Sequence, residues 1–358
     1  MQLLYRMSRY FVPVVFFGYA PIANLAVYEQ PGGQIAPFDM AALRGTVTHS
    51  FDTLYKSAMP HREASVGLMG ATRYLLIGEG RKGVLVGADG WLFTAEEARP
   101  LPADLNATLR PIIVLRDRLA AQGTDLVLVP IPAKVDVAQT RAGQPHLSAE
   151  LAGFYDAVLT GLRAGDVAVV DARAALIGLD DAFFATDTHW TPTGAAAVAQ
   201  AVALSGHLTR GSADVTREET APKQFAGDLV SYVTSATLAP AVGLPTEAVS
   251  PYLVNAAATD ATDIFAAAAV DVVLVGTSYS ANRDWSFAEA LKAALRSDVL
   301  NVAEQGQGPV KPLDAYLASA SFAEAPPNVL IWEFPLRYLT DPTLWDGHHM
   351  GEELASAE

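Results

Sequence analysis

Short apolar runs alternate with amphipathic stretches along most of the chain beyond residue 100. The apolar runs are typical of buried parallel strands, and the stretches between them carry apolar residues at helical spacing. The predicted strands cover residues 126–131, 167–170, 270–275, 298–302 and 328–332. The predicted helices cover residues 105–121, 148–163 (with Ser148 as N-cap), 193–204, 286–295 and 312–320. This alternation predicts an α/β fold, a doubly wound parallel sheet with functional sites at the carboxyl ends of its strands.

The N-terminus is apolar and is preceded by positive charge. Residues 11–27 are mostly apolar, and Arg6 and Arg9 come before them. Basic residues before an apolar run keep the N-terminus in the cytoplasm and direct the chain beyond the run to export, and the run has about the minimum length for spanning. This predicts a signal-anchor over residues 1–30 in the inner membrane, with the rest of the chain in the periplasm. The alternatives are a cleaved signal peptide, which leaves a soluble periplasmic protein, and a buried N-terminal helix.

The remaining segments complete the predicted domain organisation. Residues 31–80 are predicted to be a linker and stalk helices, broken at Pro60. The main domain, over residues 81–345, opens with a β-hairpin at 81–93. Within it, residues 211–263 have no clear period and are interpreted as an irregular insertion that shapes the cleft. Residues 346–358 form a polar tail.

Composition narrows the range of functions. The chain has 358 residues, 51% of them hydrophobic, so it can bury a large core. A net charge of −15 argues against a general nucleic-acid binder. It also requires Arg and Lys to gather locally if the partner is an anionic polymer. The absence of cysteine rules out disulfides and thiolate chemistry.

Two short motifs contain the side chains that nucleophilic catalysis requires. Ser278 follows the apolar run 272–275, and Gly276 permits a tight turn that lifts the serine hydroxyl out at the end of the strand. A serine needs a positioned base, and His189 is such a base, with Asp187 to hold its tautomer. Ser280 is the rival nucleophile. Each motif alone has an ordinary explanation, namely a turn after a strand, or a helix cap beside a surface histidine.

These motifs belong to a larger set that is similar to one enzyme family. The set consists of GADGWLF (87–93), VPIPAK (129–134), TDTHW (186–190), GTSYS (276–280) and WEFP (332–335). On these motifs the chain resembles the AlgJ and AlgX family of alginate (exopolysaccharide) O-acetyltransferases, and GEGRKGV (78–84) favours the AlgJ branch. The resemblance implies an SGNH-hydrolase-like fold. The Asp-His motif precedes the serine motif, which is the order of a circular permutation relative to common SGNH hydrolases.

An oxyanion intermediate needs preorganised donors. The backbone amide of Ser278 is one candidate. The hydrolase pattern implies a second donor from a glycine after the next strand, and Gly306 and Gly308 occupy that place, although a plain turn explains them equally well. The pattern implies an asparagine as third donor, where this chain has Glu333 with Arg337 nearby, so the third donor stays open.

Further candidates for substrate binding flank the motifs. Aromatic rings stack on the apolar faces of sugars but are also common in cores, and basic side chains either contact anionic groups or form surface ion pairs. The candidates are Trp190, Tyr279, Trp285, Arg337 and Lys134. His348 and His349 lack a ligand set around them, so no metal is expected, and no cofactor.

The sequence therefore predicts a periplasm-facing O-acetyltransferase with associated acetylesterase activity, acting on an exopolysaccharide through Ser278, His189 and Asp187. The resemblance implies three kinds of partner: the polysaccharide acceptor, a multi-spanning membrane O-acyltransferase that supplies acetyl groups, and other exopolysaccharide-biosynthesis proteins. A carbohydrate deacetylase or esterase needs the same three side chains and stays open. So does a non-catalytic subunit of polysaccharide biosynthesis, although such a subunit has no need of all three.

Overall fold

The computed structural model describes residues 2–28, 40, 42–59, 61–257 and 271–346. The chain divides into two compact units, Met1–Thr72 and Arg73–Glu358. The sequence predicted that the main domain begins at residue 81, and the second compact unit begins at Arg73, within the predicted stalk segment 31–80. The polar tail beyond residue 346, with His348 and His349, lies outside the described residues.

Helices and strands alternate over most of the described chain. The helices are α1 (Gln2–Tyr28), α2 (Thr46–Ala58), α3 (Arg62–Ile77), α4 (Leu105–Ala121), α5 (Lys134–Val137), α6 (Gln139–Ala142), α7 (Pro145–Ala164), α8 (Ala172–Leu176), α9 (Pro192–Leu204), α10 (Ser278–Ala281), α11 (Phe287–Leu295), α12 (Val310–Leu317) and α13 (Ala320–Glu324). The strands are β1 (Val84–Val86), β2 (Leu92–Thr94), β3 (Asp125–Ile131), β4 (Ala168–Val169), β5 (Asp214–Glu219), β6 (Lys223–Phe225), β7 (Glu247–Val249), β8 (Tyr252–Ala257), β9 (Val272–Val275), β10 (Leu300–Asn301) and β11 (Val329–Pro335).

The first unit is helical. Its α1 continues through Pro13 and Pro21 and carries exposed apolar side chains such as Phe16 and Phe17. The predicted break near residue 60 is confirmed, because α2 ends at Ala58 and α3 begins at Arg62. Within the described residues, no helix is both long enough and apolar enough to cross a membrane. The predicted signal-anchor is therefore not shown by the structure.

The second unit is built on a parallel sheet. Among the described residues, five strands pair in the order β10-β9-β11-β3-β4, and every pairing is parallel. Alternate residues of the strands face opposite sides, as the strand period requires. Val127 and Ile331 pack in one hydrophobic cluster with residues of α9 and α11, whereas Leu128 and Trp332 pack in a second cluster with residues of α4, α7 and α12. Helices thus cover both faces of the sheet, and the predicted doubly wound α/β fold is confirmed.

Two predictions of local structure need correction. The segment 211–263 was expected to be irregular, but β5 pairs with β8 and β6 with β7 as antiparallel ribbons. Exposed charged residues fill β5, so the strand lacks the apolar alternation that would have revealed it. Ser148 is not an N-cap, because α7 begins at Pro145 and the buried Ser148 hydroxyl donates to the carbonyl of Val135. The predicted hairpin over 81–93 is confirmed as β1 and β2.

Candidate active site

The candidate nucleophile lies at the carboxyl end of β9. The strand ends at Val275, and Ser278 is the first residue of α10 two residues after Gly276. A Cβ on Gly276 would lie 2.4 Å from the Glu333 carboxylate, so glycine is required by a close approach to the neighbouring strand β11. The amide of Ser278 lies in the first turn of α10, where N–H groups have no partner within the helix. The turn therefore offers a hydroxyl and an amide at one edge of the sheet.

The Asp-His motif lies on a narrow loop between α8 and α9. Phe183 and Trp190 form an antiparallel bridge across the base of the loop, and the Phe184 amide donates to the carbonyl of His189. The α9 helix then begins immediately, capped by the Thr191 side chain, which accepts from the Gly194 amide. The loop thus holds residues 186–189 at its tip.

Serine, histidine and aspartate form one hydrogen-bonded chain. The Ser278 hydroxyl lies 2.7 Å from His189 Nε2, and Nδ1 of the same ring lies 2.5 Å from Asp187 Oδ1. Asp187 also accepts from the backbone amides of His189 and Asp228, at 3.0 and 2.9 Å. Burial tends to raise the pKa of Asp187, but the hydrogen bonds and charge of His189 hold that pKa below its usual value. An ionised Asp187 keeps the proton of His189 on Nδ1, which leaves Nε2 free to accept from serine.

Glu333 holds the nucleophile turn from the adjacent strand. Its fully buried carboxylate accepts from the Thr277 amide and hydroxyl, at 3.0 and 2.9 Å, and from the Ser280 hydroxyl at 2.6 Å. Glu333 therefore acts as an acceptor where the hydrolase pattern has a donor. The same bonds separate the two rival serines, because the Ser280 hydroxyl is buried on Glu333 and the Ser278 hydroxyl meets His189.

Two more carboxylates hold the Asp-His loop. The buried Glu247 accepts from the amide and the hydroxyl of Thr186, the latter at 2.7 Å. Asp228 accepts from the Thr188 amide at 2.9 Å and from its hydroxyl at 2.6 Å. Both residues come from the segment that the sequence left as an irregular insertion. The insertion therefore supports the candidate site directly.

The three aromatic candidates belong to the wall of the site and to the core. The His189 ring lies between Tyr279 and Trp285, with centroid distances of 4.7 and 5.3 Å. Trp190 has no exposed surface, and its Nε1 donates to the Tyr279 carbonyl, while the Tyr279 hydroxyl donates to the Thr188 carbonyl. Trp285 is also buried. The expectation that these rings stack on a sugar is corrected, because none of them presents a face to solvent.

The two basic candidates differ in their surroundings. Arg337 lies 9% exposed, pairs with Glu96 at 3.0 Å and donates to the Tyr279 hydroxyl at 3.4 Å. Lys134 is buried, and its ammonium group donates to three backbone carbonyls. Lys134 therefore has no donor left for an anionic substrate, which corrects that expectation, whereas substrate binding by Arg337 stays a prediction.

The glycines proposed as oxyanion donors lie in the segment after β10. Gly306 and Gly308 have φ of +71° and +69°, so both occupy turns that disfavour other residues. The segment passes the nucleophile turn, since the Glu304 amide donates to the Gly276 carbonyl at 3.3 Å. Their role as donors stays a prediction, as does that of the Ser278 amide.

In the part of the chain that the structure describes, one group of His and Asp side chains lies close enough together to be considered as a metal site. Atoms of Asp187, His189 and Asp228 lie within 4.8 Å of one another. Both His189 nitrogens are engaged, with Asp187 and Ser278, and both Asp228 oxygens accept from Thr188. This donor set suits proton transfer along a hydrogen-bonded chain.

Sequence reasoning missed Glu247 and Asp228 as parts of the site, and it placed Glu333 only at the position of the third oxyanion donor, not as the acceptor that holds the turn. Glu333 carried a usable signal, because it is a charged residue within a strand that is otherwise apolar. Glu247 and Asp228 carried none, since both lie far along the chain from the loop they hold and only the tertiary fold brings them to it.

The fold and the site define the class of protein. Residues 84–336 match a family model described as an SGNH hydrolase-like domain, acetyltransferase AlgX. The chain belongs to this family, and it is an O-acetyltransferase.

Two relatives refine the comparison. "Probable alginate O-acetylase AlgJ" of Pseudomonas fluorescens is 35% identical over 317 residues, covering 84% of this chain and 79% of that protein. "Alginate biosynthesis protein AlgX" of Pseudomonas putida is 29% identical over 297 residues, covering 77% of this chain and 61% of that protein. The solved O-acetyltransferase domain of Pseudomonas putida AlgJ matches with a TM-score of 0.62 and 32% identity, covering 74% of this chain and 100% of that domain. The chain is thus more similar to these AlgJ proteins than to this AlgX.

Proposed function

We propose that the chain transfers acetyl groups to hydroxyl groups of an exopolysaccharide of the alginate type, through a triad of Ser278, His189 and Asp187. The observation that carries the proposal is the continuous hydrogen-bonded chain from the Ser278 hydroxyl through both nitrogens of His189 to Asp187. The alginate-related names of the relatives support the choice of acceptor.

The reaction follows from this geometry in two steps. His189 Nε2 takes the proton of Ser278 while the serine oxygen attacks the acetyl carbonyl, and the proton then passes to the leaving group. In the second step His189 takes a proton from a sugar hydroxyl, whose oxygen attacks the acetyl-serine. The bond from the acetyl carbon to the serine oxygen breaks, and His189 returns the proton to that oxygen, which restores Ser278. The Ser278 amide, Gly306 and Gly308 are the proposed oxyanion donors. Water in place of the sugar gives acetylesterase activity.

The proposed setting is the periplasmic side of the inner membrane. Arg6 and Arg9 before the apolar residues 11–27 support export. The proposed acetyl donor is a multi-spanning membrane O-acyltransferase that works with other exopolysaccharide-biosynthesis proteins. We also infer that the order of the motifs reflects a circular permutation. A reporter that is active only in the periplasm, fused after residue 257, tests the location, and an inactive fusion would contradict it.

The test of function uses the purified chain with an activated acetyl ester and alginate oligosaccharides. We expect mass spectrometry to show acetyl groups gained by the sugar. Ser278→Ala and His189→Ala should each lower turnover by at least about 10³-fold, whereas Ser280→Ala should lose far less. Unchanged turnover in the first two variants would end the triad proposal. Deacetylation of acetylated sugar with no transfer would favour the deacetylase alternative.

A further inference from the structure

Lys134 is a buried lysine whose three donors all end on backbone oxygens. Its Nζ donates to the carbonyls of Leu92, Ala185 and Asp187, at 2.7, 3.0 and 2.9 Å. An ammonium group has three N–H donors, so these bonds use its full capacity. Two of the three carbonyls flank Thr186 in the Asp-His loop, and the third belongs to β2. The lysine therefore ties the loop to the hairpin.

The surroundings of Lys134 compensate for its burial. An ammonium group is costly to bury unless charges or hydrogen bonds offset its lost hydration. The rings of Trp91 and Phe93 each lie 5.0 Å from Nζ. The ionisable groups that face it are carboxylates, which favour its charged form: Glu97, Asp187, Glu247 and Asp228.

We propose that Lys134 is a positioning residue that holds Asp187 and His189 in place for the reaction. By gathering the carbonyls of Ala185 and Asp187, it fixes the loop so that the Asp187 carboxylate meets Nδ1 of His189. The inference rests on the triad proposed above. A displacement of about 1 Å at a reacting group can lower a rate by about 10²-fold, so a loosened loop should affect turnover rather than substrate binding.

A positioning role of this kind has a distinctive pH dependence. Burial lowers the pKa of Lys134 to about 8, against the opposing influence of the four carboxylates. A neutral amine keeps two N–H donors, so above that pH one of the three carbonyls loses its bond and the loop loosens. The effect on stability has the opposite sign. The folded pKa of Lys134 lies below the unfolded value of about 10.4, so folding favours the neutral amine. The contribution of Lys134 to stability therefore increases as the pH rises from the folded pKa to the unfolded pKa.

The experiment measures acetyl-ester hydrolysis by the full chain from about pH 6 to about pH 10, a range that spans the folded pKa of about 8, with thermal unfolding recorded at each pH. We expect wild-type kcat to fall above about pH 8 with no parallel loss of folded protein. Lys134→Met should lower kcat by about 10- to 100-fold with little change in KM, and the remaining activity should show no such decline. Asp136→Asn is the matched control, because Asp136 is buried in the same helix but bonds to Arg173, and it should keep both kcat and the decline.

Three outcomes would overturn the inference. The first is a Lys134→Met enzyme whose kcat stays within about threefold of wild type, because a displaced catalytic loop should lower kcat by about 10- to 100-fold. The second is an alkaline decline that persists in this variant. If the variant does not fold, the wild-type profile decides, and constant kcat through the alkaline range would be the third. Ser278→Ala separates the two proposals, because substantial activity in that variant overturns the triad itself.

Discussion

Glu333 and Asp187 are both buried carboxylates at the candidate site, and their hydrogen bonds hold different parts of it. Asp187 orients the proposed base, through the ring and backbone of His189. Glu333 receives donors from both sides of Ser278, namely Thr277 and Ser280, and so fixes the turn that presents the nucleophile. One carboxylate thus acts on each member of the serine-histidine pair.

The Glu333 carboxylate can be tested by Glu333→Gln. The amide and hydroxyl of Thr277 and the hydroxyl of Ser280 all donate to this carboxylate. A glutamine replaces one acceptor oxygen by an NH₂ donor, so at least one of these buried donors loses its acceptor. We expect kcat to fall by about 10- to 100-fold with a smaller change in KM, because the turn shifts relative to His189. Asp136→Asn removes a buried charge elsewhere and should leave kcat near wild type. Equal kcat in wild type and Glu333→Gln would show that the turn does not depend on this carboxylate.

The depressed pKa of Asp187 predicts an acid-side effect on stability. A carboxyl group whose folded pKa lies below its unfolded value of about 3.9 stabilises the fold above that pH, and this contribution is lost as the pH falls towards the folded pKa. The difference in unfolding free energy between wild type and Asp187→Asn should therefore shrink from pH 7 to about pH 3. Urea denaturation at several pH values measures it. A difference that does not change with pH would mean that the pKa is not depressed.

At this scale the sequence predicted which three side chains come together but not the burial of their neighbours. Ser278, His189 and Asp187 follow from two local motifs, because a strand end and a short loop are local features. Lys134 and Trp190 were expected to meet substrate, yet both are buried. Their burial depends on β2 and on the turn after β9, which come from distant parts of the chain.

At the scale of elements, the apolar runs located the sheet well. The helix α4 begins and ends where its pattern predicted, and β3 begins one residue before the predicted strand. The strand β11 begins one residue later than predicted and ends three residues later. The ribbon strands β5 to β8 were missed. Residues of β5 and β6 are mostly exposed, so these strands lack the apolar alternation on which the prediction depends. In contrast, β7 and β8 place Val249, Tyr252 and Val254 in the core. Sequence patterning therefore found the strands of the central sheet and overlooked the short ribbon strands, both exposed and half-buried.

Close approach of β9 and β11 gives a prediction for Gly276→Ala. The added Cβ would lie 2.4 Å from Glu333 Oε2 and 2.9 Å from the Glu333 backbone oxygen, so the two strand ends must separate. We expect both thermal stability and kcat to fall. Gly153→Ala is the control, because Gly153 lies in α7 with open space around its Cβ position, and alanine there should stabilise by about 0.5–1 kcal/mol. Gly276→Ala with wild-type stability and activity would contradict the packing described here.

At the scale of the whole molecule, the catalytic unit has its own core. The hydrophobic clusters that cover both faces of the sheet consist of residues after Arg73. A domain with its own core is expected to fold alone. The sequence predicted a separate N-terminal region, and the compact unit Met1–Thr72 corresponds to most of it.

This independence predicts the behaviour of a shortened chain. A fragment that starts at residue 61, just before α3, should fold and keep acetylesterase activity within about threefold of the full chain, because its core is complete. Circular dichroism and ester hydrolysis measure the two properties. A fragment that aggregates or loses its activity would show that the first unit is needed for the catalytic fold.

The central claim is that Ser278 carries the acetyl group between donor and acceptor. The most direct measurement is peptide mass spectrometry of the full chain, quenched in acid shortly after mixing with an activated acetyl ester. The account predicts an acetyl group on Ser278, which disappears when an acceptor oligosaccharide is added before quenching, and no acetylation at this position in Ser278→Ala. An acetyl group found on Ser280, or turnover with no acetylated serine in the 276–280 turn, would contradict it.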